Sequence, residues 1–168
     1  HLAGCLDKLG DHEEAEGLFK QALQIRTDER GPKHSEVADA TNNLATCLME
    51  QERYGEAEAL FRQALSIDLE VVGERHPHVP RILHNLGRCL LEIGRLDEAE
   101  PVLLSALAKK RAKGATSHTT GKTITKLAKL RARQKRFAEA EALCREALAI
   151  QIHVEGVGAL TNPVVGRA

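Results

Sequence analysis

The feature that most constrains this chain is a short pattern written four times. Ala15, Ala57, Ala99 and Ala140 stand in the frames Glu-Glu-Ala-Glu, Gly-Glu-Ala-Glu, Asp-Glu-Ala-Glu and Ala-Glu-Ala-Glu, at separations of 42, 42 and 41 residues. A second alanine follows each by seven residues (Ala22, Ala64, Ala106, Ala147), and a leucine precedes each by thirteen (Leu2, Leu44, Leu86, Leu127). A unit of this size cannot bury its apolar face alone. Stacking buries it against the next unit, so the period predicts a solenoid. A solenoid presents long surfaces to other molecules, and the first functional expectation is binding.

The second copy shows the unit best. A helix is expected to begin at Ser35, acting as N-cap after Gly31-Pro32. Val37, Thr41, Leu44, Ala45 and Leu48 follow at spacings of three and four, which makes one helical stripe. Arg53-Tyr54-Gly55 interrupts the stripe. A second helix is expected from Glu56 to Val72, burying Ala57, Leu60, Phe61, Ala64, Leu65 and Leu69, with Gly73 as the residue just past its end. In the third copy, Asp97 and Glu100 read as a capping box. Pro101 is then placed in the first helical turn, where the backbone N–H groups have no intrahelical acceptor, and Pro80 is tolerated for the same reason. The pattern is two antiparallel helices per unit, hence an all-α chain.

Composition narrows the function classes. The 168 residues carry 24 Lys+Arg and 24 Asp+Glu, so no net field draws the chain to nucleic acid or membrane. The balance hides a block: from Pro101 to Ala138 there are eleven basic residues and no acidic one, which points to a partner for that stretch. No run approaches the 18 apolar residues of a membrane span, and no signal-peptide pattern opens the chain. Cys5, Cys47 and Cys89 are repeat equivalents and read as small core residues, not as a zinc site, which wants closely spaced pairs. Unpaired structural thiols lead to an expected cytoplasmic location.

The spacing Leu44-Ala45-x-x-Leu48, Ala57-x-x-x-Phe61, Ala64, and its copy Leu86-Gly87-x-x-Leu90, Ala99-x-x-x-Leu103, Ala106, resembles the tetratricopeptide frame. The linkers Gly31-Pro32-Lys33-His34-Ser35-Glu36-Val37 and Gly73-Glu74-Arg75-His76-Pro77-His78-Val79, with Asn42-Asn43-Leu44-Ala45, resemble those of the kinesin-light-chain type, whose repeat is 42 residues long. The resemblance implies a right-handed superhelical solenoid of about three and a half repeats: a partial one at 1–33, then 34–75, 76–117 and 118–157, with a further repeat starting at 158–168. Both ends cut a repeat, so the chain is expected to be a fragment of a longer protein. Repeat four departs from the frame: Arg131 stands where Leu48 and Leu90 sit, and no Asn precedes Leu127.

The resemblance also implies that the first helix of each repeat lines a concave groove that holds an extended peptide. Asn would bind its backbone and basic residues its acidic side chains. The faces opposite the core stripes carry Asp39, Asn42, Asn43, Thr46 and Met49 in repeat two. Repeat three offers Arg81, His84, Asn85, Arg88 and Leu91 or Glu92, and repeat four Lys122, Thr125, Lys126, Lys129 and Arg133. The groove is therefore expected at Asn42, Asn43, Thr46, Arg81, His84, Asn85, Arg88, Lys122, Lys126, Lys129 and Arg133. Lys122/Lys126 and Lys129/Arg133 are like-charge pairs at i,i+4, which oppose helix formation by about 0.2–0.5 kcal/mol each. A surface with no partner would interleave acids.

The expected function is a non-catalytic scaffold that binds a protein segment of acidic character. The alternatives are nucleic-acid binding through residues 109–136, or a regulatory or sensor region of a larger NTPase or other enzyme. Single-strand binders add exposed aromatics for stacking, whereas Phe137 and the other rings fall on repeat core positions. His34, His76 and His118 recur at one place per repeat, too far apart to share a metal. Gly121-Lys122-Thr123 lacks the glycine five residues earlier that a phosphate-binding loop needs. No catalytic residues, cofactor, metal or small-molecule substrate are expected.

Overall fold

The computed structural model describes residues 12–112 and 117–161, the side chains of 155–161 excepted. They form seven helices: α1 His12–Arg30, α2 Ser35–Glu50, α3 Tyr54–Val71, α4 His78–Ile93, α5 Leu96–Arg111, α6 His118–Arg133 and α7 Phe137–Thr161. No strand occurs among the described residues. The expectations for Leu2 and Cys5 lie outside them.

Each helix packs against the next in sequence. In addition α2 touches α4, and α4 touches α6, while α1, α3, α5 and α7 make no comparably extensive contacts with one another. Helices that approach more closely on one side of a stack form the inner wall of a curved array. The α2, α4 and α6 faces therefore line the groove.

The alanine frame explains the spacing. Ala57, Ala64, Ala99 and Ala106 are all wholly inaccessible, because a small side chain lets two helix backbones cross closely. One cluster runs unbroken from Leu44 and Phe61 through Leu86 and Leu103 to Ile124 and Leu127, so burial is shared between repeats. Gly87 stands where Ala45 and Ala128 sit in their repeats. A Cβ there would lie 2.6 Å from the Leu103 side chain, so the glycine is a packing requirement. The thiols of Cys47 and Cys89 are buried and lie 3.7 Å and 3.3 Å from the carbonyls of His12 and Tyr54, the corresponding residues of the repeat before. Burial pushes the Cys89 thiol up to about 11.

Several local expectations need correction. The N-cap of α2 is His34, whose Nδ1 accepts from the Glu36 N–H at 3.2 Å; Ser35 is the first helical residue. Helix α3 begins two residues before Glu56, at Tyr54. The Asp97–Glu100 capping box does not form. Helix α5 starts at Leu96 without a side-chain cap, and Glu100 instead binds Arg131 at 2.6 Å and Gln134 at 3.0 Å. That earlier start moves Pro101 beyond the first turn, into the helix interior, on an exposed side where water can reach the carbonyl it leaves unbonded. Leu69 is 41 % exposed and Phe137 67 %, so neither is a core residue. Gly73 does take the left-handed conformation just past α3, with φ +78°. Arg131 occupies a buried leucine position and survives there because Glu100 and Glu139 both reach it. The Arg131 and Gln134 bonds hold the Glu100 carboxyl down at about 2.

Candidate binding groove

Across the α2–α4 wall, polar groups satisfy one another. The Asn85 amide donates to Asn42 Oδ1 at 3.0 Å, and Asn42 donates to Asn43 Oδ1 at 3.3 Å. Asn42 is buried, so it ties two repeats together and does not face a ligand. Thr46 bonds back to the Asn42 carbonyl at 2.9 Å. Arg81 pairs with Asp39, and Arg88 with Glu50. Met49 and Leu91, expected in the groove, are also buried. The stripe that packs on neighbouring helices is wider than the three-and-four spacing suggests, because each first helix has neighbours on two sides.

The α4–α6 wall differs. Here His84 Nδ1 lies 3.0 Å from Thr123 Oγ1, which also receives Lys110 Nζ at 2.7 Å and donates to the Thr119 carbonyl at 3.1 Å. Burial, reinforced by the nearby Lys110, Lys126, Arg88 and Lys122, lowers His84 to about 3. At neutral pH it is an uncharged imidazole beneath a cationic surface. Lys110 itself is lowered to about 8, chiefly by burial and then by Lys122. A cleft of about 420 Å³ opens here, lined by Pro77, Pro80, Arg81 and His84 from the start of α4, Lys110 from α5, and Ser117, Thr119 and Lys122 from the start of α6.

The basic block between Pro101 and Ala138 is largely neutralised by its neighbours. Lys129 binds Glu92 at 2.7 Å, and Arg133 binds the same carboxylate at 3.2 Å and also the Leu91 carbonyl. The Lys129 bond is the larger cause that holds the Glu92 carboxyl below its ordinary value, and the Arg133 charge adds to it. Lys109 reaches Glu74 at 3.0 Å, Arg111 pairs with Glu146, and Arg136 with Glu139 at 2.6 Å. Among the described residues Lys122 and Lys126 form no ion pair. Lys126 is lowered by burial first and then by Arg88 and Lys129. Of the basic residues expected in the groove, then, Arg81, Arg88, Lys129 and Arg133 are engaged, and Lys122 and Lys126 are open to an incoming anion.

Sequence reasoning missed the acids that do this. Glu16–Arg53 and Glu58–Arg95 are both 2.7 Å pairs and both span 37 residues, as does Glu92–Lys129. A search for opposite charges at one constant offset within the period would have found them.

Tetratricopeptide repeat models match residues 1–70, 36–112 and 120–158. The chain belongs to the tetratricopeptide repeat family. No curated protein matches it. Among solved structures, BtubC (BKLC) from P. vanneervenii superposes with a TM-score of 0.80 at 24 % identity, over 99 % of this chain and 65 % of that one. The chain thus spans under two thirds of that protein's length. A kinesin-light-chain-type protein of Podosopora anserina with nearly identical TPR-like repeats gives 0.78 at 24 % identity, over 90 % and 72 %. The apo form of RapI gives 0.64 at 13 %, over 92 % and 67 %. The fold is that of the kinesin-light-chain-like tetratricopeptide arrays, and such repeats are scaffolds for protein–protein interaction. No helix among the described residues is long and apolar enough to cross a membrane.

Proposed function

We propose that the α4–α6 half of the groove holds a short acidic segment of a partner protein. Lys122 and Lys126 meet its carboxylates, and the cleft beside Pro77 and Pro80 takes an adjacent apolar side chain. The observation that supports this is the pair of lysines left without an acid on a face where every other expected groove cation has one. Lys126 sits partly buried among like charges, so an incoming carboxylate relieves repulsion as well as forming a charge-assisted bond. Asn85 keeps one amide hydrogen and its Oδ1 for the ligand backbone, Asn43 is joined to it through Asn42, and Arg81 and Arg88 contribute by exchanging partners.

The test is a fluorescence-anisotropy titration with an extended peptide that alternates acidic and apolar residues. Lys122→Glu/Lys126→Glu should weaken binding at least tenfold with helix content unchanged. Raising salt from about 50 to about 200 mM should weaken the wild type, since exposed charges are screened over roughly 8–10 Å in that range. Two results would overturn the reading: an unstructured oligonucleotide binding at least as tightly as the peptide, or neither ligand binding.

A further inference from the structure

The three repeat junctions share one polar position, and the middle junction inverts it. Residues 26, 68 and 110 are equivalents at 42-residue spacing: Arg26, Asp68 and Lys110. Arg26 reaches across to the start of the next repeat, donating to the Glu36 carbonyl at 3.1 Å and approaching Asp39 at 3.5 Å. Lys110 does the same at the third junction, donating to the Thr119 carbonyl at 3.0 Å. Both junctions thus contain a cation aimed at the first turn of the following helix. The middle junction puts an acidic side chain there.

That side chain is stranded. Asp68 is wholly inaccessible, and neither of its side-chain oxygens accepts a hydrogen bond. Across the junction His78 Nδ1 lies 3.6 Å from Asp68 Oδ2, itself buried and without a hydrogen bond. His76 completes the group, with its ring edge-on to His78 at 4.5 Å between centroids. One donor atom from each of the three residues lies within 4.8 Å of the other two. A buried carboxyl group without a hydrogen-bond partner destabilises the fold that holds it. The fold therefore places a buried carboxyl and two imidazoles where its sister junctions have an arginine or a lysine.

We propose that Asp68, His76 and His78 form a binding site for a divalent transition metal of the zinc class, which takes the place that Arg26 and Lys110 fill at the other two junctions. Two imidazoles and a carboxylate suit zinc, with a fourth position left for water. Metal–ligand bonds of about 2.0–2.1 Å bring tetrahedral donors to roughly 3.3 Å from one another, so side-chain rotations of about 1.5 Å or less close the site. His78 is 34 % exposed, which gives the ion access from solvent. The one bond surrendered is that from the His78 N–H to His76 Nδ1, already long at 3.4 Å. Arg81, whose charge also acts on Asp68, is held on Asp39. Bound metal would pin the linker to α3 and fix the angle between repeats two and three.

The experiment titrates zinc chloride into the Cys144→Ser chain, because the exposed Cys144 thiol is a competing ligand. Calorimetry should show one site, and the melting temperature should rise by about 5–10 °C at a hundredfold excess over Kd, reversed by EDTA. Asp68→Arg restores the cation of the sister junctions. It should fold without metal and lose the zinc response. His78→Ala, at a partly exposed position, should weaken zinc binding at least thirtyfold while leaving the apo melting temperature nearly unchanged. No zinc-dependent shift in the parent chain, or an equal shift in both variants, would overturn the proposal.

Discussion

Helix α4 meets a neighbour on each side of the groove, and the two contacts differ in kind. Toward α2 it makes Asn85–Asn42, Arg81–Asp39 and Arg88–Glu50, a wall whose polar groups are spent on one another. Toward α6 its histidine stays neutral, a cleft opens, and the two α6 lysines that face it have no acid. Both walls come from the same repeat frame. The difference shows that a basic helix face is available to a ligand only where the adjacent helix brings no carboxylate to it. Repeat two supplies Asp39 and Glu50 to α4, and α4 supplies Glu92 to one end of α6. The other end of α6 receives none.

The largest expected effect tests the buried histidine on the open wall. A base whose folded pKa is lowered stays neutral in the native state while the unfolded chain takes up a proton. The stability it contributes is therefore complete above the unfolded value of about 6.5 and is lost as pH falls from there toward about 3. Each pH step of one between those two values is worth roughly 1.4 kcal/mol, so the full loss amounts to several kcal/mol. Urea unfolding between pH 6.5 and 4.5, above the range where the lowered carboxylates titrate, should show wild-type stability falling with pH. In His84→Gln the dependence should be much flatter. Equal slopes in the two proteins would mean that the α4–α6 wall is open to water and not a buried contact.

A second pair of substitutions compares how tightly α4 and α6 are packed. Gly87→Ala drives a Cβ to 2.6 Å from Leu103, a wholly buried side chain, and should cost about 1–3 kcal/mol by overpacking. Gly121→Ala on α6 places its Cβ 3.6 Å from Ile150, an ordinary contact. It should stabilise by about 0.5–1 kcal/mol through helix propensity. Chemical denaturation of both variants checks the contrast, and the same sign for both would remove it.

The smallest effect concerns the turns that close the two flanking first helices. Glu52, Gly94 and Lys135 are equivalent, and all have positive φ: 61°, 90° and 61°. Only α4 has the glycine that this conformation favours. Glu52→Gly and Lys135→Gly should each raise stability by a few tenths to about 1 kcal/mol, as thermal melts can show, whereas Gly94→Ala should lower it.

Much of the architecture is legible because it depends on residue size at a fixed period. Ala57, Ala99 and Ala106 have to be small where helices cross, and Leu44, Leu86 and Leu127 have to be apolar, whatever their neighbours are. The cap of α2 escapes such reasoning because an imidazole nitrogen can do the work of a hydroxyl, and His34 stands one residue before the serine that propensity favours. The groove is half legible. Lys122 and Lys126 follow from the helical spacing, but that spacing also points Asn42, Met49 and Leu91 outward, because it treats a helix with two neighbours as if it had one.

The sequence by itself determined the repeat, the helix pairs and the alanine crossings, since these are local spacings that every copy repeats. Only the tertiary structure decided which charges are free, because the partner of Lys129 lies 37 residues back on another helix and that of Arg88 lies 38 back. Stacking register, not composition, brings such groups within bonding distance. The same register leaves Asp68 buried against His78 in the middle junction, where a carboxylate replaces the cation its two sister junctions carry.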